Sequence, residues 1–292
     1  MTEHWRAAVQ REAHVAEPPR QATQQEWEQA QVRGDVTYLE AGPRDGVPVV
    51  FLHGIGGGAR GFLPQLDGLR DACRVIAWDM PGYGGSAPLE LVSMDSLTAA
   101  LAGFLQELGL DRPVLVGHSL GGMLVQRLLS AQPDAAGAVV LAQTSASFGS
   151  KDPAWAEGFI RDRLGPLDAG HGMADLADGI VAEQSGESPD PDGMALAREC
   201  FARTPDSTYR DTVMALPGFD LRDALPRVQV PTLVLAGSLD RNAPPAGMRR
   251  MAERIPGAEY VELPGAGHLA HLEQPAAFNA AVRRFLDAGV SR

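Results

Sequence analysis

The chemistry of this chain begins at Gly117-His118-Ser119-Leu120-Gly121-Gly122. A serine between two close glycines, behind an apolar run and ahead of a helical pattern, fits a G-x-S-x-G nucleophile elbow. The glycines let neighbouring backbone approach without a Cβ clash, and the sharp turn projects the hydroxyl into a cleft. The helix that starts there offers free N–H groups and a positive dipole end to an oxyanion. Read without chemistry, the same residues are a glycine-rich turn with a serine N-cap.

A serine hydroxyl is a weak nucleophile; it needs a base, and the base needs an orienting acid. In this strand–turn–helix context the chain order is serine, acid, histidine. Asp240, in Gly237-Ser238-Leu239-Asp240, stands just past the apolar run Pro231–Ala236 and is the expected acid. His268, in Pro264-Gly265-Ala266-Gly267-His268, stands just past Glu259–Leu263 and is the expected base. Other residues compete less well. Asp220 and Asp223 precede the strand, and Asp79 falls too early and suits a structural turn. His271 lacks the glycine-flanked loop, His118 points elsewhere on the tight turn, and His171 lies in a different segment. Two oxyanion donors are expected, the N–H of Leu120 and that of Ile55 in His53-Gly54-Ile55-Gly56-Gly57-Gly58. That loop follows neither phosphate-binding glycine pattern, and His53 is expected to brace it.

The elements that would hold these residues are continuous apolar runs: Pro48–Leu52, Arg74–Trp78, Pro113–Val116, Ala138–Leu141, Pro231–Ala236 and Glu259–Leu263. Runs of that length without alternation suit strands covered on both faces, hence a parallel sheet. Helical patterns at Ser93–Leu108, Ser119–Ala131 and Pro275–Leu286 lie between or after them, so the expected fold class is α/β with a doubly wound sheet. Trp27–Val32, the turn Arg33-Gly34-Asp35 and Val36–Leu39 read as a hairpin. Residues 1–25 read as a polar arm or tail, and 26–144 with 223–292 as the core. In residues 145–222 the rhythm breaks into helical pieces, such as Ala154–Arg163 and Met194–Arg203, with no convincing strand. Phe148, Trp155 and Phe159 there either line an apolar substrate pocket or pack as core. Arg161, Arg163 and Arg203 either meet a substrate carboxylate or sit in solvent.

Composition narrows the class. With 45% hydrophobic and 21% charged residues, 292 residues can bury a sizeable core. A net charge of −12 disfavours nucleic acid and anionic membranes as partners. The two cysteines, Cys73 and Cys200, form no disulfide framework and no zinc-ligand pattern, so no metal or cofactor is expected. No segment reads as a signal peptide or a membrane span, so a cytoplasmic protein acting on a small molecule is expected.

HGIGG, WDMPGYGGS, GHSLGG, LAGSLD and GAGHLAHLEQP, in that order, resemble the α/β-hydrolase family over about residues 27 to 290. The resemblance is greatest to its enol-lactonase-like and carboxylesterase-like members. It implies a mostly parallel eight-stranded sheet with a helical cap between the sixth and seventh strands, over residues 145–222. Relatives such as haloalkane dehalogenases and epoxide hydrolases carry an aspartate nucleophile where this chain has Ser119. Carbon–carbon hydrolases, cofactor-free haloperoxidase-like members and hydroxynitrile lyases share the triad. The expected activity is therefore serine-dependent hydrolysis of a carboxylic ester or lactone. Carbon–carbon cleavage or a lyase reaction is the alternative, and a non-catalytic binding protein on this fold the third.

Overall fold

In the computed structural model, residues 30–149 and 153–289 are described. The polar arm expected over residues 1–25 lies outside them. The first strands are β1 (Gln31–Arg33) and β2 (Val36–Ala41), paired antiparallel across Gly34-Asp35. Arg33 belongs to β1 rather than to the turn, and β2 runs two residues beyond the expected Leu39, because β2 also pairs with a second strand.

Six further strands complete the sheet: β3 (Val47–Leu52), β4 (Cys73–Trp78), β5 (Val114–His118), β6 (Ala138–Ala142), β9 (Thr232–Gly237) and β10 (Glu259–Leu263). The order is β1-β2-β4-β3-β5-β6-β9-β10, parallel from β4 onward. Between β6 and β9 comes a small ladder, β7 (Ser147–Phe148) with β8 (Phe219–Asp220).

Both faces of the sheet are covered. Val50, Leu52, Ile76, Trp78, Leu115 and Leu141 turn to one apolar cluster. Their neighbours Val49, Phe51, Val75, Ala77, Val116 and Val140 turn to another. This is why the strands read as unbroken apolar runs: each alternate residue meets a helix layer instead of water. The first cluster packs under α2 (Met94–Glu107), α3 (Leu120–Ala131) and α8 (Pro245–Arg254). The second packs under α1 (Leu63–Leu69) and α10 (Pro275–Gly289). Each fully buried Leu, Ile, Val or Phe contributes roughly 1.5–3 kcal/mol. Helix α2 starts where the sequence signals it. Ser93 Oγ accepts the Ser96 N–H at 3.0 Å, and Ser96 Oγ accepts the Ser93 N–H at 2.9 Å, a reciprocal cap.

Among the described residues, four helices lie between β7 and β8: α4 (Pro153–Asp168), α5 (Met173–Gln184), α6 (Pro191–Arg203) and α7 (Asp206–Met214). Two of them, α5 and α7, are absent from the sequence reading, and the other two are longer than expected. The absence of strand expected over 145–222 is corrected by the β7–β8 ladder. Two-residue strands carry no periodicity, and their pairing exists only because the two ends of the insertion meet. The helices have an apolar cluster of their own, including Leu164, Met173, Val181, Met194, Phe201 and Tyr209. Leu272 joins it from the short helix α9 (Ala270–Glu273), just beyond β10, and Leu269 from the residue that caps that helix. Among the described residues no helix is long and apolar enough to cross a membrane.

Candidate active site

Ser119 sits between β5 and α3 with φ 52° and ψ −117°. A side chain rarely adopts that backbone, so surrounding structure must hold it. The Ser119 N–H donates to Ala142 O at 2.9 Å, and Thr144 Oγ donates to Ser119 O at 2.6 Å. The N–H groups of Gly122 and Met123 reach the same carbonyl. The turn needs bare backbone on both sides: a Cβ on Gly121 would strike the carbonyl of Leu52, and one on Gly117 the backbone of Gly121 and Gly122.

Asp240 and His268 come from the ends of adjacent parallel strands, and their loops are stitched together. The Ser238 N–H donates to Leu263 O at 3.0 Å, the Leu239 N–H to Ala266 O at 2.9 Å, and the Gly265 N–H to Ser238 Oγ at 2.8 Å. Across this seam His268 Nδ1 donates to Asp240 Oδ2 at 2.8 Å. The other ring nitrogen, Nε2, is then the acceptor, and Ser119 Oγ donates to it at 3.0 Å. Asp240 Oδ1 accepts the N–H groups of Asn242 at 2.8 Å and Ala243 at 2.9 Å. Burial works to raise the Asp240 carboxyl, but the neighbouring imidazole and these two N–H groups outweigh it and hold it below its usual range.

The other expected residues can be located too. Ile55 and Leu120 border the same cavity as Ser119 and His268, about 280 Å³ in volume. Among the described residues neither of their N–H groups donates to another group in the protein. Phe148, Trp155 and Phe159 line that cavity as well. Trp155 stacks on Phe159, with ring centroids 5.5 Å apart and planes 3° apart, and Phe148 meets both edge-on. These three are thus partly packed on each other and partly open to the cavity. Of the three arginines, Arg163 borders the cavity while leaning on Glu183 at 3.7 Å. Arg161 and Arg203 are exposed and pair with Asp162 and Glu199.

Two other histidines, His53 and His118, are otherwise engaged. His53 Nε2 accepts the Met80 N–H at 2.9 Å, so Nδ1 carries the proton and donates to Gly54 O at 2.8 Å. This braces the loop that carries Ile55. Asp79 accepts from the Ala59 N–H at 2.7 Å and from Thr37 Oγ at 2.8 Å, a structural tie. His118, expected to point elsewhere, borders the same cavity, and sequence reading gave it no task. Its Nε2 donates to the carbonyl of His268 at 2.8 Å, tying the elbow to the histidine loop. Thr144 was missed as well. Its contact with Ser119 spans 25 residues and leaves no local signal.

This fold and site define the class. Residues 47–275 match the family described as alpha/beta hydrolase fold, and the chain belongs to that family. Polyketide synthase ThaQ of Burkholderia thailandensis is 33% identical over 263 residues, 87% of this chain, although the chain spans only 12% of that protein's length. The 3-oxoadipate enol-lactonase 1 of Acinetobacter baylyi is 26% identical over 240 residues, covering 81% of this chain and 87% of the relative. Among solved structures, the enol-lactonase from Burkholderia xenovorans LB400 superposes with a TM-score of 0.78 at 27% identity, covering 89% of this chain and all of that one (100%).

Proposed function

We propose that the protein is a serine hydrolase that cleaves a carboxylic ester or lactone of a small molecule through an acyl-enzyme. One observation carries the reading: the unbroken hydrogen-bond chain from Ser119 Oγ through His268 to Asp240, opening on a largely apolar cavity. His268 Nε2 takes the hydroxyl proton as Ser119 Oγ attacks the carbonyl carbon. The imidazolium that forms is held by Asp240, already ionised by its surroundings. The free N–H groups of Leu120 and Ile55 bind the oxyanion, each such donor being worth about 2.7–4 kcal/mol. His268 then returns the proton to the leaving alkoxide and activates the water that releases the acid. Phe148, Trp155 and Phe159 form the apolar wall for one part of the substrate. Kinship with enol-lactonases favours this bond type, and an acidic surface disfavours nucleic acid and anionic membranes as partners. Cys73 and Cys200 are both free and buried, which suits the cytoplasm.

The test is intact-mass spectrometry after exposure to a serine-directed phosphonate, with p-nitrophenyl esters, simple lactones and a vinylogous diketone assayed in parallel. The expected result is one adduct on Ser119, lost in Ser119→Ala and His268→Ala, with turnover of an ester or lactone. Turnover retained by Ser119→Ala would sink the proposal. Cleavage of the diketone alone would move the protein to carbon–carbon hydrolysis, and binding without turnover to a receptor.

A further inference from the structure

Glu273, the last residue of α9, is a carboxylate buried to 2% exposure, and among the described residues no arginine or lysine pairs with it. Its charge is met by backbone N–H groups instead. Oε2 accepts Gly186 N–H at 2.6 Å and Gly267 N–H at 2.9 Å; Oε1 accepts Leu269 N–H at 2.9 Å and Gly267 N–H at 3.1 Å. Gly267 and Leu269 are the two residues that flank His268. One carboxylate therefore grips the chain on both sides of the residue that faces Ser119.

The third N–H, from Gly186, belongs to the link between α5 and α6. The last residue of α5, at the head of that link, also touches the histidine directly: the His268 N–H donates to Gln184 O at 2.8 Å. The two segments lie backbone against backbone. A Cβ on Gly186 would strike Gly265 O, one on Gly267 would strike Gln184 O, and one on Gly193 would strike Leu272 O. Gly186, Gly193 and Gly267 thus make room for the carboxylate to reach both segments at once. With the bond from His118 to its carbonyl, His268 is held at its N–H, at its C=O and at both neighbours.

We propose that Glu273 is the positioning residue of His268, fixing the imidazole between Ser119 and Asp240 and tying that placement to the seating of the α5–α6 link. The proposal rests on the serine-hydrolase reading above. Four acceptor contacts from two oxygens require an ionised carboxylate, since a protonated or amidated oxygen would turn a donor toward an N–H. Burial pushes this carboxyl upward, opposed by the N–H groups of Gly267, Gly186 and Leu269. A misplacement of about 1 Å at a reacting group can cost on the order of 10²-fold in rate.

Glu273→Gln tests this with little change of volume. Whichever way the amide turns, its NH₂ faces at least two of the N–H groups. The variant should melt cooperatively, lose on the order of 10²-fold in kcat toward a p-nitrophenyl ester, and keep its KM. Phosphonylation of Ser119 by a small methylphosphonate should slow in parallel, and the far-downfield proton resonance of the His268–Asp240 bond should shift or vanish. A raised KM with unchanged phosphonylation would assign Glu273 to the helical insertion alone and overturn the proposal. If Glu273→Gln does not fold, Glu273→Asp is measured the same way. It keeps the charge but is one methylene too short to hold both segments, so intermediate phosphonylation is expected and a wild-type rate overturns the proposal. A wild-type protein inert to the phosphonate would instead defeat the serine-hydrolase reading, and this proposal with it.

Discussion

Asp240 has two oxygens with separate duties. Oδ1 is fixed by the N–H groups of Asn242 and Ala243, and Oδ2 takes the proton of His268 Nδ1. The separation makes Asp240→Asn a clean test. The amide oxygen can still receive the two N–H groups, so the fold should survive. The amide NH₂ would then face Nδ1 and favour the tautomer protonated on Nε2, which cannot accept from Ser119. The expected loss is about 10⁴-fold in kcat, checked by steady-state ester hydrolysis beside an unchanged melting curve. The two thiols tell an opposite story. Burial pushes Cys73 up to about 11 and Cys200 up to about 12, so neither offers a rival thiolate near neutral pH.

At the scale of elements, the elbow exists because α3 lies unusually close to β3 and β5. Gly121 is the point of contact, since its missing side chain leaves room for the Leu52 carbonyl. Gly121→Ala must push α3 off the sheet. It should cost about 1–3 kcal/mol in stability and slow phosphonylation, because Ser119 and the Leu120 N–H move with the helix. Gly103→Ala in α2 is the matched control, with nothing within 4 Å of the added Cβ. It should stabilise the protein by about 0.5–1 kcal/mol and leave reactivity alone. Urea melts of the two variants against wild type, with their phosphonylation rates, separate a packing glycine from an ordinary helical one.

Over the whole molecule, three histidines besides His268 are buried where the sheet, the elbow and the histidine loop meet. Desolvation lowers His53 and His271, and lowers His118 to about 3, where its neighbour His268 adds to the effect. Unfolded, each would titrate near its ordinary value of about 6.5. Between there and about pH 3 the unfolded chain binds more protons than the folded one, so stability rises with pH through that window and falls on acidification. Glu273, raised from 4.5, acts the other way near its own range but is one group against three. Asp240, held low, adds its loss only at lower pH, as its carboxyl protonates. Melting temperature should therefore already drop between pH 6.5 and 4.5. His271→Leu, which removes an unpartnered buried Nδ1, should flatten that slope; an unchanged slope would mean His271 does not contribute.

The sequence by itself determined the strands of the main sheet, the α/β class and the expected order serine, acid, histidine. Those features are local: apolar runs covered on both faces, and glycines where backbones cross, as at Gly117 and Gly121. It also read Asp79 as a structural turn residue, His53 as a brace of its loop and His271 as lying outside the glycine-flanked loop. Tertiary structure alone decided the rest. Helices α5 and α7 and the β7–β8 ladder depend on where the ends of the insertion meet. Whether Arg163, rather than Arg161 or Arg203, borders the cavity depends on how α4 lies across it. The hold of Glu273 on His268 joins residues 186, 267, 269 and 273, brought together by backbone contacts that no spacing records. Sequence periodicity reports which face of an element is buried; which distant backbone it is buried against is a property of the packed chain.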